Sequence, residues 1–251
     1  MRERGGQPRM GNRFYLQSYG LLPEFLKRRI NPLEYSIQAF IHSAESSQRR
    51  LCVLDAGAGE SRFAAAFRDH FYVAMDLAVG DNGWDYSRLH VCADLEAVPF
   101  GSASMDAVLN IQVLEHVADP AAVLKELYRV LKPGGRLLLT APQGWHEHQQ
   151  PHDFFRFTRY SLSALLRSAG FQEISIEPLG GYFHYLGQRL TYIPKVLFQD
   201  RQGLGRAALF PAELASLFFF CFLSPIACYY LDALDRKKEF TLGYKCLAIK
   251  A

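Results

Sequence analysis

Apolar residues between positions 51 and 178 form short runs, each ended by glycine, proline or an acidic or polar residue. Runs of this length and boundary chemistry predict buried strands. Stretches with helix-start chemistry lie between several of them: one after Ser61, one at Asp119-Pro120 and one from Ser161 to Gly170. The predicted strands cover residues 51–57, 71–77, 89–95, 105–112, 136–142 and 172–178. Strands that alternate with helices at this spacing indicate an α/β fold with a parallel, doubly wound sheet.

The segments on either side of this alternation have different patterns. Residues 1–13 are expected to be disordered, whereas residues 14–47 predict helices with a break at Asn31-Pro32. After the sixth strand the sequence predicts a helical insertion and then one last strand. The expected organisation is an N-terminal tail and helical cap at 1–48, a doubly wound core at 49–178, an apolar helical insertion at 179–242 and a closing core strand at 243–251.

Length, charge and cysteine content narrow the class of protein. A chain of 251 residues can bury a substantial core. The net charge of +3 gives no electrostatic footprint for nucleic acid, so no nucleic-acid partner is expected. The five cysteines form no C-x-x-C pair and are best explained as thiols in a reducing compartment. Because the N-terminus also lacks the pattern of a secretory signal, a cytoplasmic location is expected.

The predicted insertion contains a long uncharged stretch, residues 214–231. Its length is at the short limit for a helix that crosses a bilayer, and Ser224 and Pro225 weaken that interpretation. A buried helix pair or a homodimer contact would use the same residues. A helix on a membrane surface is the third interpretation, since the basic residues 236–238 follow it. The sequence therefore leaves peripheral membrane contact through residues 205–238 and homodimer formation open.

The first predicted strand leads into a glycine turn, within the segment LCVLDAGAGES (51–61). Such a turn usually holds a nucleotide. A dinucleotide site needs a third glycine, but Arg62 occupies that position, and the P-loop lysine is also absent. Asp55 would repel a pyrophosphate and suits a ligand that carries an ammonium or sulfonium group. S-adenosylmethionine combines a nucleoside with positive charge and has no phosphate.

The order of these motifs resembles that of the class I S-adenosylmethionine-dependent methyltransferases, and most closely a bacterial branch, the methyltransferase type 11-like proteins. VLDAGAGES (53–61) resembles the first motif of that family, with Ser61 where a third glycine is often found. The LEHV box at 114–117 and the LKPGG turn at 131–135 follow in the expected order. The resemblance covers about residues 50–178 and the closing strand. It implies a Rossmann-like sheet of about seven strands whose last strand is antiparallel.

The resemblance also implies which residues hold the cofactor, S-adenosylmethionine. Asp76 would accept both ribose hydroxyls, Asp94 would hold the adenine amino group, and Asn110 would face the methionine part. A turn-capping Asp55 and a solvated Asp76 are the structural alternatives. The implied cofactor-binding residues are Asp55, Gly57, Ala58, Gly59, Asp76, Leu77, Asp94, Leu95, Asn110 and Gln112.

The segment WHEHQQPHDFFRFTRY, residues 145–160, follows the fifth predicted strand on the side where open α/β sheets place ligands. It resembles a His-Asp-aromatic-aromatic-Arg stretch of the same methyltransferase branch. His152, Asp153 and Arg156 are therefore expected to shape the acceptor pocket or to position the sulfonium side, and Tyr160 is a further candidate. The alternative is a packing loop in which Asp153 and Arg156 form a structural salt bridge.

The catalytic residue is left unknown by the sequence. His116 could act as a general base, but its position at the start of the element after strand four suits a structural role equally well. His146, His148, His152 and Asp153 have the chemistry of metal ligands. Since nothing in the sequence brings them onto one helical face, no metal is expected.

The function implied by the resemblance is transfer of a methyl group from S-adenosylmethionine to a small-molecule, sugar or lipid-linked acceptor. Two alternatives stay open: a module that binds S-adenosylmethionine without catalysis, and a membrane-associated module. A nicotinamide oxidoreductase is disfavoured by Arg62 and Asp55.

Overall fold

A computed structural model of the protein describes residues 49–80, 83–198 and 204–251, together with Pro23, Phe25, Leu26, Arg29, Ala39 and His42. It divides into two compact units. The larger unit comprises residues 37–179 and 242–251, and the smaller one comprises residues 1–36 and 180–241. The helices predicted within residues 14–47 lie almost entirely outside the described residues.

The larger unit is built on a seven-stranded sheet with the strand order β3-β2-β1-β4-β5-β7-β6. The strands are β1 Cys52–Ala56, β2 Phe71–Asp76, β3 Val91–Cys92, β4 Met105–Ile111, β5 Leu131–Pro142, β6 Glu173–Pro178 and β7 Gly243–Ile249. The first five strands pair in parallel, whereas β7 lies antiparallel between β5 and β6. The predicted α/β class, with a doubly wound, Rossmann-like sheet and an antiparallel last strand, is confirmed.

Two helices of the larger unit cover the sheet between consecutive strands. Helix α1, Pro120–Val130, begins where Oδ1 of Asp119 accepts hydrogen bonds from two main-chain N–H groups, each over 3.0 Å. The proline suits the first helical position because that position needs no N–H donor. Helix α2, Arg159–Ser168, begins at a capping box formed by Thr158 and Ser161. Both helices bury an apolar stripe, which α1 forms from Val123, Leu124, Leu127 and Val130.

Several predicted elements differ from the structure; β5, for example, begins at Leu131 and includes the segment 132–135 that was predicted as a turn. The helix expected after Ser61 is replaced by successive turns across residues 60–69, in which main-chain N–H groups bond to the carbonyl three residues earlier. Ser61 has a positive φ of 57° instead of the extended conformation typical of an N-cap, so it does not start a helix as predicted. The third strand is limited to Val91–Cys92 because the chain turns immediately afterwards into a short 3₁₀ helix, Leu95–Ala97.

The described residues of the smaller unit between 182 and 234 are mainly helical, in agreement with the predicted helical insertion before the last strand. Its elements are α3 Tyr182–Leu190, α4 Ile193–Phe198, α5 Leu204–Phe218, a π-helical turn Phe219–Leu223, α6 Ser224–Leu231 and a 3₁₀ turn Asp232–Leu234. The buried carboxylate of Asp232 accepts hydrogen bonds from the N–H groups of Gly181 and His184, so it caps the start of α3.

The π-helical turn ends two residues before Pro225. Proline has no N–H and its ring clashes with the carbonyl four residues earlier, so the regular hydrogen-bond ladder cannot continue through it. The main-chain O of Phe219 accepts both from the main-chain N–H of Ser224 and from the Ser224 hydroxyl, the latter at 2.9 Å.

The continuous helix Leu209–Leu234 is, by length and composition alone, long and apolar enough to cross a membrane. Only 17% of its most apolar window is buried, so most of this window is not core of the described structure. Phe210, Leu214 and Phe218 recur at intervals of four residues and are each more than half exposed. The large apolar side chains with more than 40% exposure on this helix are Phe210, Leu214, Phe218, Phe219, Leu223, Tyr230, Leu231 and Leu234.

Candidate functional site

The glycine turn after β1 is held against the end of β2. The N–H groups of Gly57 and Ala58 both donate to the main-chain O of Met75, over 2.8 and 3.0 Å. Gly57 has a φ of +90°, and a Cβ atom at this position would come within 2.4 Å of a methyl group of Val113. Both the backbone conformation and the close approach of Val113 therefore require glycine.

Asp76 joins the end of β2 to the glycine turn. Its Oδ2 accepts a hydrogen bond from the N–H of Gly59 over 2.9 Å, and its Oδ1 accepts one from the N–H of Ala78 over 2.8 Å. Each carboxylate oxygen has a second lone pair, so this arrangement leaves capacity for two further donors such as a pair of ribose hydroxyls. The structure thus brings Asp76 together with the turn, and the carboxylate is partly buried rather than fully solvated.

Trp84 is a residue of this region that the sequence reasoning missed. A Cβ atom added to Gly59 would lie 3.1 Å from its indole ring, and one added to Gly80 would lie 3.0 Å from it. The N–H of Gly80 also donates to the hydroxyl of Tyr86 over 2.9 Å, which fixes the segment after β2. The indole is still 36% exposed and offers an aromatic face beside the glycine turn. The available signal was one tryptophan within an otherwise polar loop.

Asn110 and Gln112 end β4 beside the turn. The side-chain NH₂ of Asn110 donates to the main-chain O of Ala56 over 2.9 Å, which braces the end of β1. Its Oδ1 is buried and has no hydrogen-bond partner among the described residues. Gln112 has a φ of +56°, and its Nε2 donates to Oγ1 of Thr140 over 3.1 Å. The chain therefore turns sharply where the strand edge meets the turn.

Asp55 lies inside the sheet layer and is 1% exposed. Its Oδ2 accepts a short hydrogen bond from the hydroxyl of Tyr72. Burial raises the pKa of the Asp55 carboxyl to about 6, although the Tyr72 hydrogen bond and Arg62 act in the opposite direction. Burial, followed by the neighbouring Asp55, raises the pKa of Tyr72 far above its ordinary value. One oxygen of Asp55 is thus already bonded within the protein.

The remaining residues expected to bind the cofactor lie at the same edge of the sheet. Oδ1 of Asp94 accepts from the N–H of Glu96 over 2.9 Å and caps the 3₁₀ helix that begins at Leu95. Leu95 is 7% exposed and packs in the core, whereas Leu77 is 47% exposed. Leu77 is therefore the more accessible apolar contact.

Glu115 and His116 follow β4 in a short 3₁₀ helix, Leu114–His116. Glu115 is 0% exposed, and burial raises the pKa of its carboxyl to about 8. Nδ1 of His116 lies 2.6 Å from the main-chain O of His152, and its Nε2 lies 3.8 Å from Oε1 of Glu115. Burial lowers the pKa of His116. The His116 ring is thus largely enclosed and directed by the loop that follows β5.

That loop, residues 145–156, is held together by Arg156. The guanidinium donates to both carboxylate oxygens of Asp153, over 2.7 and 2.8 Å. It also donates to the main-chain oxygens of Trp145, His146 and Phe155. Hydrogen bonding to Arg156 holds the pKa of Asp153 far below its ordinary value. These contacts favour the structural salt bridge that the sequence left as an alternative, because they occupy both oxygens of Asp153.

His152 and Tyr160 have no comparable enclosure. The side chain of His152 is exposed, and its contribution to the cluster is the main-chain O that faces His116. Tyr160 is 80% exposed in the first turn of α2. Of the four candidates that the sequence suggested in this segment, Asp153 and Arg156 are hydrogen-bonded to each other, whereas His152 and Tyr160 have exposed side chains.

The residues at this sheet edge fit S-adenosylmethionine. Gly57 and Gly59 give a turn whose only side chain is the buried methyl group of Ala58, and the Trp84 ring lies beside it. The buried Oδ1 of Asn110 and the buried hydroxyl of Ser61 have no hydrogen-bond partners among the residues that the structure describes. Acidic, amide and hydroxyl groups without a basic cluster suit a nucleoside with an amino acid chain better than a phosphate.

Comparison with known proteins identifies related sequences. Residues 54–139 match the family model described as a methyltransferase domain. The chain is 32% identical over 154 residues to a probable S-adenosylmethionine-dependent methyltransferase of Mycolicibacterium smegmatis, covering 54% of this chain and 56% of that protein. It is 33% identical over 150 residues to a probable S-adenosylmethionine-dependent methyltransferase of Mycobacterium tuberculosis, covering 55% and 53%. The chain thus spans about half the length of the curated relatives it matches.

A solved structure supports the fold. A SAM-dependent methyltransferase from Archaeoglobus fulgidus aligns with a TM-score of 0.54 over 87% of this chain and 94% of that one, at 14% identity. An identity this low shows similarity of fold alone. The residues matched by the family model run from β1 into β5, so they contain the glycine turn, Asp76 and the end of β4.

Proposed function

We propose that the chain acts as a class I S-adenosylmethionine-dependent methyltransferase, which its match to the methyltransferase domain model and its likeness to two probable S-adenosylmethionine-dependent methyltransferases support, and that it transfers a methyl group from S-adenosylmethionine to a small-molecule acceptor. The cofactor of this family supplies a methyl group bonded to a positively charged sulfur, which is a good leaving group. The protein must therefore bind the cofactor, align the acceptor with the methyl group and exclude water.

The observation that carries this proposal is the hydrogen bond from the N–H of Gly59 to Oδ2 of Asp76. It places two carboxylate oxygens beside a turn whose two glycines and small, buried Ala58 leave space for a nucleoside. Asp76 would bind the ribose hydroxyls, and Trp84 and Leu77 would cover the base. Asp94 and Leu95 would contact the adenine, while Asn110 and Gln112 would face the methionine part.

Asp55 would contribute negative charge near the sulfonium from its buried position. Its bond to Tyr72 fixes the carboxylate without supplying a positive charge, so the site keeps a net preference for a cationic ligand. Gly57 and Ala58 would shape the turn through their bonds to Met75.

The acceptor is proposed to be a small molecule, a sugar or a lipid-linked compound. The apolar helix Leu209–Leu234 supports a hydrophobic or lipid-linked acceptor, since its exposed side chains would suit contact with a membrane surface. Basic residues at 236–238 follow this helix and would favour anionic lipid. A cytoplasmic protein with peripheral membrane contact is the location proposed, and a homodimer through the same helix is the competing explanation.

The second candidate function is a module that binds S-adenosylmethionine without turning it over. It is favoured by the structural role of Arg156, because a loop held by five hydrogen bonds to Asp153 and main-chain oxygens has a sufficient explanation in stability. Formation of S-adenosylhomocysteine when the purified protein is mixed with S-adenosylmethionine and a cell extract would separate the two functions.

Calorimetric titration with S-adenosylhomocysteine tests the binding site directly. Asp76→Ala is expected to weaken binding by about 1.5–3 kcal/mol, roughly tenfold or more, because charge-assisted hydrogen bonds are lost. Asp69→Ala is the matched control, since Asp69 is an exposed acid that precedes β2. NAD is titrated in parallel. Absence of S-adenosylhomocysteine binding, or equal binding by both variants, would contradict the proposed site.

A further inference from the structure

A second group of chemically reactive side chains lies next to the proposed cofactor residues. Glu115, His116 and His148 each offer one ligand atom, and these three atoms lie within 4.8 Å of one another. Glu115 and His116 follow the end of β4, whereas His148 comes from the 145–156 loop. We infer that these three side chains form a binding site for a divalent transition-metal ion such as Zn²⁺.

Glu115 is the first reason for this inference. Its side chain is fully buried, and neither carboxylate oxygen has a hydrogen-bond partner among the described residues. A buried carboxylate without partners is costly unless a positive charge or a proton compensates it. The position is fixed, because the main-chain O of Glu115 accepts from the N–H groups of Phe154 and Phe155 over 2.8 and 3.3 Å.

His116 has the tautomer that a metal ligand requires. Its Nδ1 faces the main-chain O of His152 at 2.6 Å, and a carbonyl oxygen only accepts, so Nδ1 carries the hydrogen. In the neutral ring the lone pair is then on Nε2, which is buried and has no hydrogen-bond partner within the described part of the chain. Metal-binding histidines commonly donate their other N–H to a carbonyl or carboxylate in this way.

His148 is held in a similar arrangement. Its Nδ1 lies 3.1 Å from the main-chain O of His146 and 3.3 Å from Oδ2 of Asp153. Asp153 also accepts from the N–H of His148 over 2.9 Å and is itself fixed by Arg156. The function of the Arg156 contacts would then be to hold His148 over Glu115.

The distances suit a small ion. Zinc lies about 2.0–2.2 Å from nitrogen and oxygen ligands, so the ligand atoms of a tetrahedral site lie about 3.3–3.6 Å apart. Nε2 of His116 and Oε1 of Glu115 are 3.8 Å apart, a few tenths of an ångström more than this geometry needs. All three ligand atoms lie within 4.8 Å of one another, so His148 would need to move by up to about 1.5 Å, and its side chain is 25% exposed, which leaves room for rotation.

Two imidazoles and one carboxylate favour a transition metal over Mg²⁺, which prefers oxygen ligands. Three protein ligands leave a fourth position open, as in catalytic zinc sites. Val113 packs against Gly57 and precedes Glu115 by two residues, so the metal site directly follows the proposed cofactor residues along the chain. This extension rests on the proposed function: a hydroxyl acceptor bound at the open position would release its proton to solvent more readily.

Zinc titration of the untagged full-length chain tests the site. The protein is stripped with a chelator, titrated calorimetrically with ZnCl₂, and assayed for zinc content after gel filtration. One zinc per chain is expected for the wild type, with binding at least tenfold weaker in Glu115→Gln and His148→Ala. His146→Ala is the local control, because it keeps the main-chain O that accepts from Arg156 and faces Nδ1 of His148, and removes only the ring contacts of His146 with its neighbours, such as Trp145 and His148. Its zinc binding should match that of the wild type.

Equal zinc binding by the wild type, Glu115→Gln and His148→Ala would overturn the inference, as would no binding by the wild type. If Glu115→Gln does not fold, the zinc binding of His148→Ala alone tests the inference, since the His148 side chain lies partly at the surface. S-adenosylhomocysteine is titrated against the same samples. Zinc binding without S-adenosylhomocysteine binding would support the metal site and contradict the proposed function. S-adenosylhomocysteine binding without zinc binding would contradict the metal site alone.

Discussion

Gly57 and Val113 approach each other so closely that a Cβ atom on Gly57 would lie 2.4 Å from Cγ2 of Val113 and 2.6 Å from Cγ1. The contact joins the turn after β1 to the end of β4. Gly57 also has a φ of +90°, so two independent restrictions exclude a side chain at this position.

Gly57→Ala is therefore expected to destabilise the protein by about 2–4 kcal/mol, combining backbone strain with overpacking. It should also weaken S-adenosylhomocysteine binding, because the turn must shift. Urea denaturation measures the first effect and calorimetry the second. The double variant Gly57→Ala/Val113→Ala should lose less stability than the sum of the two single changes, since it removes the two closest contacts and leaves only the Cβ of Val113 at 3.0 Å. Strict additivity of the two free-energy changes would contradict this account.

The raised pKa of Asp55 makes the free energy of unfolding depend on pH. Its pKa is raised to about 6 in the folded protein from an ordinary value of 3.8, so between these values the folded state binds more protons than the unfolded state. The contribution of Asp55 to the free energy of unfolding therefore falls as pH rises through this range. The fall is about 1.4 kcal/mol for each pKa unit.

Asp55→Asn cannot titrate and keeps an oxygen that can accept from Tyr72. Relative to the wild type, its stability should increase by about 2 kcal/mol between pH 4.5 and pH 7.5, and then change little at higher pH. Denaturation curves of both proteins across this range measure the difference. Parallel pH profiles would show that the Asp55 carboxyl titrates normally.

The stability of the 145–156 loop is expected to depend on the guanidinium of Arg156, which makes five hydrogen bonds within it. Arg156→Ala leaves the Asp153 carboxylate, 3% exposed, without its charged partner and should cost about 2–4 kcal/mol of unfolding free energy. Arg156→Lys should recover little, because an ammonium cannot reproduce the bidentate contact together with the bonds to the main-chain oxygens. Arg167→Ala, at an exposed arginine in the last turn of α2, should change stability by less than about 0.5 kcal/mol. Equal effects of the Arg156 and Arg167 changes would contradict this assignment.

The elements that sequence predicted well are those specified by local chemistry. Asp119 and Pro120 fix the start of α1 by a cap and a proline, and the structure shows that cap. The glycine turn was also predictable, because two glycines directly after an apolar, strand-like run are typical of a ligand-binding turn. The helix expected after Ser61 was wrong because a positive φ at Ser61 starts a series of tight turns instead.

The features that could not be predicted depend on contacts between distant residues. The sequence pointed to the Glu115-His116 pair as a motif, but not to the loop carbonyl of His152 that directs the His116 ring. Tyr72 gave no sign that it would bond to Asp55, because the pair forms only when β1 and β2 lie side by side. Trp84 lies in a loop without periodicity, so only the folded chain places it at the glycine turn.

The exposed aromatic face of the helix Leu209–Leu234 predicts binding to membranes. Phe210, Leu214 and Phe218 lie on one face and are 59%, 52% and 56% exposed, and a basic segment follows at 236–238. The full-length chain should therefore pellet with vesicles that contain anionic phospholipid, and added salt should weaken the binding.

Leu214→Glu/Phe218→Glu should abolish this pelleting without unfolding the protein, because both side chains are exposed and their replacement removes no core packing. Tyr160→Glu is the control, since it introduces a charge at an 80% exposed aromatic residue of the larger unit. Sedimentation equilibrium of the same proteins without lipid measures their oligomeric state and so tests the competing explanation, a homodimer. A wild-type dimer that the double change converts to a monomer, with no vesicle binding by either protein, would assign the helix to a homodimer interface and contradict membrane contact.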